Sequence, residues 1–154
     1  MDKSKMMDAM KASISEVLEQ MFFLPVDCMA PEAAHSNPES DPASIPAKLG
    51  FSGSPSGIFM LQVPKSLALS ISADFLGISP QEISDDQVAG SVLEMLNMLA
   101  GGTLSTYDPH ALFDLQIPEL ITIHDERALA ESGSDRIIIR IQTPENRMAF
   151  QLIL

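Results

Sequence analysis

The sequence predicts an α+β fold in which helices pack on an antiparallel sheet. Two long segments carry apolar residues at helical spacing, and short turns join apolar strand-like segments as in hairpins. The chain has 154 residues, of which 45% are hydrophobic, and this suits a domain with a sizeable buried core. We therefore expect residues 1–154 to form a single domain.

The first helix is predicted over residues 4–23. Its apolar residues recur every three or four positions and so share one face: Met7, Met10, Ile14, Val17, Leu18, Met21 and Phe22. Pro25 ends this helix, and residues 26–29 are predicted to form a short strand. From Ala30 to Pro46 four prolines disfavour both helix and sheet, which predicts a mobile loop or a flap.

The middle of the chain is predicted to form a hairpin followed by two helices. Residues 48–52 and 57–63 are apolar strands on either side of a turn at residues 54–57. Residues 64–76 are predicted to form a helix with Pro64 in its first turn and Gly77 at its C-terminal end, although the apolar residues Leu67, Leu69, Ile71 and Phe75 also fit a strand. The second helix begins after Ser84, because Ser84 and Gln87 have capping-box spacing, and continues to about Ser105.

The remainder of the chain is predicted to consist of strands. Residues 113–117 and 120–124 are two short ones, and residues 136–142 and 148–154 form a hairpin around a turn at 143–146. The last two strands are strongly apolar. An open edge on such strands favours pairing with another chain.

The net charge of −12 and the isoelectric point near 4.4 exclude some classes of partner. A field of this sign repels phosphate backbones and anionic lipids, so we expect neither nucleic acid nor a membrane surface as partner. No apolar run approaches the roughly 20 residues that span a bilayer, and the N-terminus lacks a signal-peptide pattern. The single cysteine, Cys28, is expected to be buried and indicates a reducing compartment, so a cytoplasmic location is predicted.

The helix that begins after Ser84 has an unusual outer face. On a helical wheel its buried stripe is formed by Val88, Val92, Leu96 and Leu99. The opposite face is centred on Glu94 and, apart from the apolar Met98, holds small or polar residues: Gln87, Gly90, Ser91, Asn97, Gly101 and Ser105. An interior glycine costs roughly 0.5–1 kcal/mol relative to alanine, but small residues let another backbone approach closely. We therefore predict a contact face for a partner, on which Glu94 and Asn97 are neighbours.

No set of side chains has the spacing of a metal site. His110 and His124 lack a second ligand at suitable spacing, and His35 lies alone in the proline-rich segment. We expect this chain to have no metal or cofactor of its own.

Residues 91–105, SVLEMLNMLAGGTLS, resemble the active helix of the CheC/CheX chemotaxis phosphatases. The motif of that family is a glutamate followed three residues later by an asparagine, here Glu94 and Asn97. The family often has Asp or Ser four residues before the glutamate, where this chain has Gly90, and a proline downstream, here Pro118. The order of predicted elements resembles CheX more than the two-site CheC.

The resemblance implies a phosphatase that hydrolyses the aspartyl phosphate of a response-regulator receiver domain, usually CheY. Asn97 would hold the attacking water, and Glu94 would pair with a lysine of the partner. The residues that would contact the partner are Gln87, Gly90, Ser91, Met98 and Gly101. The resemblance also implies that Mg²⁺ is bound by the receiver domain, and that the protein is a homodimer formed through a sheet edge.

The predicted helix at residues 4–23 resembles a degenerate repeat of the helix that begins after Ser84. Val17, Leu18 and Glu19 parallel Val92, Leu93 and Glu94, but Phe22 stands where the asparagine would be. We therefore expect no second site on the first helix.

Two other functions remain open. The chain is alternatively a non-catalytic module of the same kind that binds a receiver domain or a flagellar-switch component, and Gly90 is the main support for this. It is alternatively an unrelated hydrolase with Glu94 as general base, although no second catalytic group lies nearby in the sequence.

Overall fold

The computed structural model describes residues 1–28, 43–132 and 135–154. Most of the predicted loop at 30–46 lies outside the described residues, but Ser44–Pro46 belong to a strand. The α+β prediction is confirmed, because four α-helices and an antiparallel sheet are formed by the described residues.

The sheet is built from seven strands of the described chain. They are β1 (Asp27–Cys28), β2 (Ser44–Ser52), β3 (Gly57–Pro64), β4 (Asp114–Leu115), β5 (Glu119–Leu120), β6 (Arg136–Gln142) and β7 (Arg147–Ile153). Their order is β1-β6-β7-β3-β2-β4, and β5 pairs with β2 further along the same edge. Both predicted hairpins are confirmed, with Leu49 opposite Phe59 in β2–β3 and Ile139 opposite Phe150 in β6–β7.

The helices are α1 (Lys3–Ile14), α2 (Lys65–Leu76), α3 (Asp85–Tyr107) and α4 (Ile123–Ser132). Residues Ser15–Met21 continue α1 as a π-helix, so the predicted first helix is present but its last turns are wider than α-helical ones. α1 and α3 pack on one face of the sheet. Their buried residues join those of the strands in a single apolar core, which includes Met10, Leu18, Leu96, Phe59 and Phe150.

The predicted ends of α2 and α3 are correct in kind. Gly77 ends α2 in the left-handed conformation, with φ of 68°. Ser84 and Gln87 form a complete capping box. The backbone amide of Gln87 donates to Ser84 Oγ, and the backbone amide of Ser84 donates to Gln87 Oε1 of the side chain. α3 ends at Tyr107, two residues beyond the predicted end.

The predicted strand at 120–124 is wrong beyond Leu120, because Ile123 and His124 begin helix α4. The backbone amide of Asp125 donates to Thr122 Oγ1, which caps this helix. A single residue of α4, Glu126, is buried, so no apolar stripe reveals the helix in the sequence.

The structure differs from two expectations, one about β7 as a sheet edge and one about the burial of Cys28. β7 pairs with both β3 and β6 and so lies inside the sheet, where it is not available as an edge. Cys28 is exposed on β1 rather than buried. Its pKa is raised, chiefly by partial desolvation of the sulfur, so the thiolate is disfavoured.

None of the helices in the described part of the chain is both long and apolar enough to cross a membrane.

Candidate functional site

Helix α3 is held by its apolar side, as the sequence predicted. Val92, Leu96 and Leu99 are fully buried in the core. The capping box fixes the start of the helix. The carboxylates of Asp85 and Asp86 in its first turn interact favourably with the positive end of the helix dipole. The outer face therefore belongs to a helix that the core holds in position and the capping box holds at its start.

Helix α1 runs antiparallel to α3 and fixes it from the side. The backbone amide of Asp2 donates to the Tyr107 hydroxyl at 3.2 Å, and the Ser13 hydroxyl donates to the Leu99 carbonyl at 2.8 Å. Between these contacts the helices approach so closely that a Cβ on Gly102 would lie 2.6 Å from Ser13 Oγ. Gly102 therefore serves helix packing and does not end α3.

Glu94 and Asn97 occupy the outer face of α3, where the sequence placed them. Glu94 is exposed and Asn97 is half-buried. Among the described residues, neither side chain has a hydrogen bond or ion pair within the chain. Both polar groups are therefore uncommitted and free to bind an external molecule.

The predicted contact residues divide into three groups. Gln87 and Gly90 are exposed, and a Cβ on Gly90 would meet nothing within 4 Å. Met98 and Gly101 are half-buried on this face. Ser91 is buried, and its hydroxyl donates to the Gln87 carbonyl at 3.0 Å, so the structure does not bring it to the contact face.

The chemistry available at this face is limited to binding and orientation. It has one carboxylate, two carboxamides and the Ser105 hydroxyl but no cysteine, histidine or lysine, and Ser91 Oγ is engaged with the backbone. The nearest acidic residues along α3, Asp85 and Asp86, are eight or nine positions from Glu94, roughly 12 Å at the helical rise. Along α3 itself, no second acidic group lies beside Glu94 to serve a self-contained acid–base hydrolase.

The described residues contain no cluster of three or more His, Cys, Asp or Glu side chains that could hold a metal ion. His110 and His124 are both exposed. His35 lies outside the described part of the chain.

Sequence reasoning missed the segment that borders the outer face. Leu115 approaches Gly101, whose Cβ would lie 4.0 Å from Leu115 Cδ1. Leu112 and Ile117 are exposed on either side of Leu115. The contact depends on the pairing of β4 with the sheet edge, which no local pattern in the sequence indicates.

Comparison with known proteins identifies the family of the chain. The family model "Chemotaxis phosphatase CheX" matches residues 45–142, which include α3 with Glu94 and Asn97. The chain therefore belongs to the CheX family of chemotaxis phosphatases. No curated protein matches it.

Three solved structures illustrate how similar the fold is. A chain of the CheX–CheY–BeF3–Mg²⁺ complex from Borrelia burgdorferi is 18% identical, with a TM-score of 0.76 and 95% of each chain covered. A CheC-like superfamily protein from Shewanella sp. PV-4 is 19% identical, with a TM-score of 0.75, covering 99% of this chain and 98% of that one. FliY from Thermotoga maritima is 13% identical, with a TM-score of 0.63, covering 94% and 83% respectively. At these identities the likeness concerns the fold.

Proposed function

We propose that this protein is a phosphatase that hydrolyses the aspartyl phosphate of a CheY-like response-regulator receiver domain docked on the outer face of α3. The observation that carries the proposal is the uncommitted pair Glu94 and Asn97 on one helical face of a CheX-family chain. The complex of CheX with CheY from Borrelia burgdorferi supports the class of partner.

An acyl phosphate is already reactive, so its hydrolysis needs mainly a water molecule held in line with the bond that breaks. The water oxygen attacks phosphorus, the bond from phosphorus to the aspartyl oxygen breaks, and the products are the free carboxylate and inorganic phosphate. Asn97 suits this role because its carboxamide oxygen accepts a hydrogen bond from the water while its NH₂ group donates to the phosphoryl region. No nucleophile is required of this chain.

Glu94 lies one turn before Asn97 on the same face and has no partner within the described chain. As an exposed carboxylate it can form a charge-assisted hydrogen bond with a lysine at the active site of the receiver domain. That bond would anchor α3 and fix the distance between Asn97 and the phosphoryl group. Gly90 and Gly101 give the approaching backbone clearance, and Met98 adds an apolar contact.

The Mg²⁺ that phosphoryl transfer requires would be held by the receiver domain, so this chain would contribute no cofactor. The reaction would take place in the cytoplasm, where response regulators act.

The direct test compares the wild type with Asn97→Ala on a phosphorylated receiver domain, following loss of phosphate. We expect Asn97→Ala to lower turnover by about 100-fold, because a misplaced water loses the benefit of orientation. Gln20→Ala is the matched control, since Gln20 is an exposed carboxamide on the neighbouring helix. Equal turnover by the wild type and Asn97→Ala would contradict the assignment.

A second candidate function is a non-catalytic module that binds a receiver domain or a flagellar-switch component. It is favoured by Gly90, which provides no side chain to support Glu94 four residues further on. The two functions differ in one measurement, because a module would form a complex and leave the intrinsic dephosphorylation rate of the receiver domain unchanged.

A homodimer is also part of the proposal. Among the described residues, β1 pairs with β6 at Ile141 and Gln142, and no described strand pairs with the outer side of residues 136–139, which would offer an edge to a second copy. Light scattering at micromolar concentration should give twice the chain mass of 16.7 kDa. A monomer mass would contradict this part of the proposal.

A further inference from the structure

A ridge of exposed apolar side chains runs beside the C-terminal half of α3. We call residues 112–117 the apolar ridge. Leu112 is 94% exposed and Ile117 is 89% exposed, whereas Leu115 between them is turned towards α3. Burying a side chain of this size contributes about 1.5–3 kcal/mol, so leaving two of them in water forgoes a substantial stabilisation.

The apolar ridge is firmly attached to the sheet. The Phe113 ring packs edge-on against Phe51 at 6.2 Å, and Leu115 pairs with Phe51 in the β2–β4 ladder. The Gln116 amide donates to the Gly50 carbonyl at 2.8 Å. These contacts fix the outward direction of Leu112 and Ile117, so little conformational entropy is lost when a partner covers them.

The ridge is continuous with the outer face of α3. Leu115 lies beside Gly101, because a Cβ on Gly101 would be 4.0 Å from Leu115 Cδ1. Gly101 is four residues from Asn97, or roughly 6 Å along the helix. A groove of about 230 Å³ separates the two elements, with Gly101, Leu104 and Ser105 on the helix side and Leu112 and Leu115 on the other. A side chain of a bound protein can enter it.

The dimensions of a protein interface favour a docked protein as the occupant over a small ligand. A stable complex covers about 800 Å² on each partner, a disc of roughly 16 Å radius. A receiver domain centred on Asn97 therefore extends over Gly101 and onto the apolar ridge. A ligand limited to the phosphoryl group would not reach it.

The charge of this region favours a partner with basic residues. From residue 66 to residue 126 the sequence contains acidic residues but no lysine or arginine. Two lysines of neighbouring elements lie near this segment, but each has a contact of its own: Lys48 forms an ion pair with Glu119, and Lys5 lies over the Tyr107 ring at 5.0 Å. Asp108 lines the groove and Asp114 lies within the ridge. An apolar patch bordered by lysine or arginine would match such a surface in both shape and charge.

We infer that the apolar ridge, through Leu112 and Ile117, is part of the docking surface for the receiver domain and contacts an apolar patch bordered by basic residues. This inference rests on the proposed function for the identity of the partner, but it concerns affinity and not the chemical step.

The test measures the Kd of the full chain for a receiver domain loaded with Mg²⁺ and beryllium fluoride, a stand-in for its phosphoryl group. The variant Leu112→Ser with Ile117→Ser is expected to raise Kd by about tenfold or more, because hot-spot side chains dominate affinity. Leu112→Met with Ile117→Val, which keeps the apolar character, is expected to bind like the wild type. Leu76→Ser is the matched control, because Leu76 is an exposed apolar residue on α2.

Kinetics separate this inference from the proposed function. The serine variant should raise KM on the phosphorylated receiver domain and leave kcat within about twofold, whereas Asn97→Ala should lower kcat and leave Kd unchanged. If the wild type binds but does not hydrolyse, the phosphatase proposal fails while a raised Kd in the serine variant still supports the ridge.

Three results would overturn the inference. One is a Kd unchanged by the serine substitutions, and another is a wild type that does not bind the loaded receiver domain. The third is a serine variant that changes from dimer to monomer in light scattering while its Kd stays at the wild-type value, since the ridge would then contact a second copy.

Discussion

Helix α1, with its π-helical end, and helix α3 are antiparallel neighbours that share a Val-Leu-Glu segment but have different outer faces. Glu19 and Glu94 each follow a Val-Leu pair, and both are exposed. Glu19 accepts a hydrogen bond from Ser15 Oγ at 2.6 Å, whereas Glu94 has no partner within the described chain. Three residues further on, Phe22 is buried against Phe75 with 4.8 Å between ring centroids, and Asn97 is half-buried on the outer face.

The difference shows what makes one helix a candidate site and the other part of the scaffold. On α1 the polar group is satisfied locally, and the next side chain is used for the core. On α3 the carboxylate and the carboxamide remain uncommitted between glycines. A binding face is therefore recognised by polar groups that the fold leaves without partners, and not by a Val-Leu-Glu pattern alone.

The largest expected effect concerns the fully buried leucines that both helices place in the core. Leu18 and Leu96 are both fully buried, so Leu18→Ala and Leu96→Ala should each lower the free energy of unfolding by about 3 kcal/mol through lost burial and a cavity. Urea denaturation of each variant measures this. A cost below 1 kcal/mol for Leu18→Ala alone would mean that the π-helical segment is not anchored in the core as α3 is.

The second prediction separates the two glutamates. Glu94→Gln should weaken binding of the loaded receiver domain by about tenfold, since hydrogen bonds to charged groups contribute about 1.5–3 kcal/mol. Glu19→Gln is the matched control and should leave the Kd unchanged, as its carboxylate is engaged by Ser15. Titration calorimetry measures both, and equal losses would break the distinction between the two faces.

The third prediction concerns two glycines of α3. Gly102→Ala should destabilise the protein by about 1 kcal/mol, because the new methyl group displaces the Ser13 hydroxyl from the Leu99 carbonyl. Gly90→Ala should stabilise it by about 0.5–1 kcal/mol, because its Cβ meets nothing and alanine favours the helix.

A double-mutant cycle with Ser13→Ala checks the cause of the Gly102 effect. In the Ser13→Ala background, Gly102→Ala should be nearly neutral. An unchanged penalty in that background would place the clash elsewhere.

The smallest expected effect concerns the starts of the two helices. Ser84→Ala removes one half of a capping box and should cost about 1 kcal/mol. Asp2→Ala removes a single cap hydrogen bond to the Lys5 amide near the chain terminus and should cost about 0.5 kcal/mol. Thermal unfolding measures both, and a larger loss for Asp2→Ala would reverse the order of stability inferred for the two helices.

Much of the fold was predictable because local signals agree with it. The capping box at Ser84, the stop at Gly77 and the two apolar hairpins each carry their own chemical pattern. Helix α4 was not predicted, because it buries a single side chain, Glu126, and so lacks an apolar period. Pro46 suggested a loop, yet it lies within β2. Proline is tolerated there because the outer side of β2 is paired at this point only with the short strand β5.

The outer face of α3 was predictable in its centre but not at its margins. Helical periodicity places Glu94 and Asn97 together, because both lie on one helix. The burial of Ser91 and the approach of Leu115 to Gly101 depend on distant elements packed beside α3. Such contacts are set by the tertiary fold, which a single-sequence pattern does not contain.

In the proposed function, α3 differs from α1 because Asn97 holds a water molecule for hydrolysis on a docked receiver domain. The decisive measurement is single-turnover dephosphorylation of a phosphorylated receiver domain by saturating wild type or Asn97→Ala. We expect Asn97→Ala to bind with unchanged affinity but to dephosphorylate about 100-fold more slowly. Equal single-turnover rates for the two proteins would contradict it.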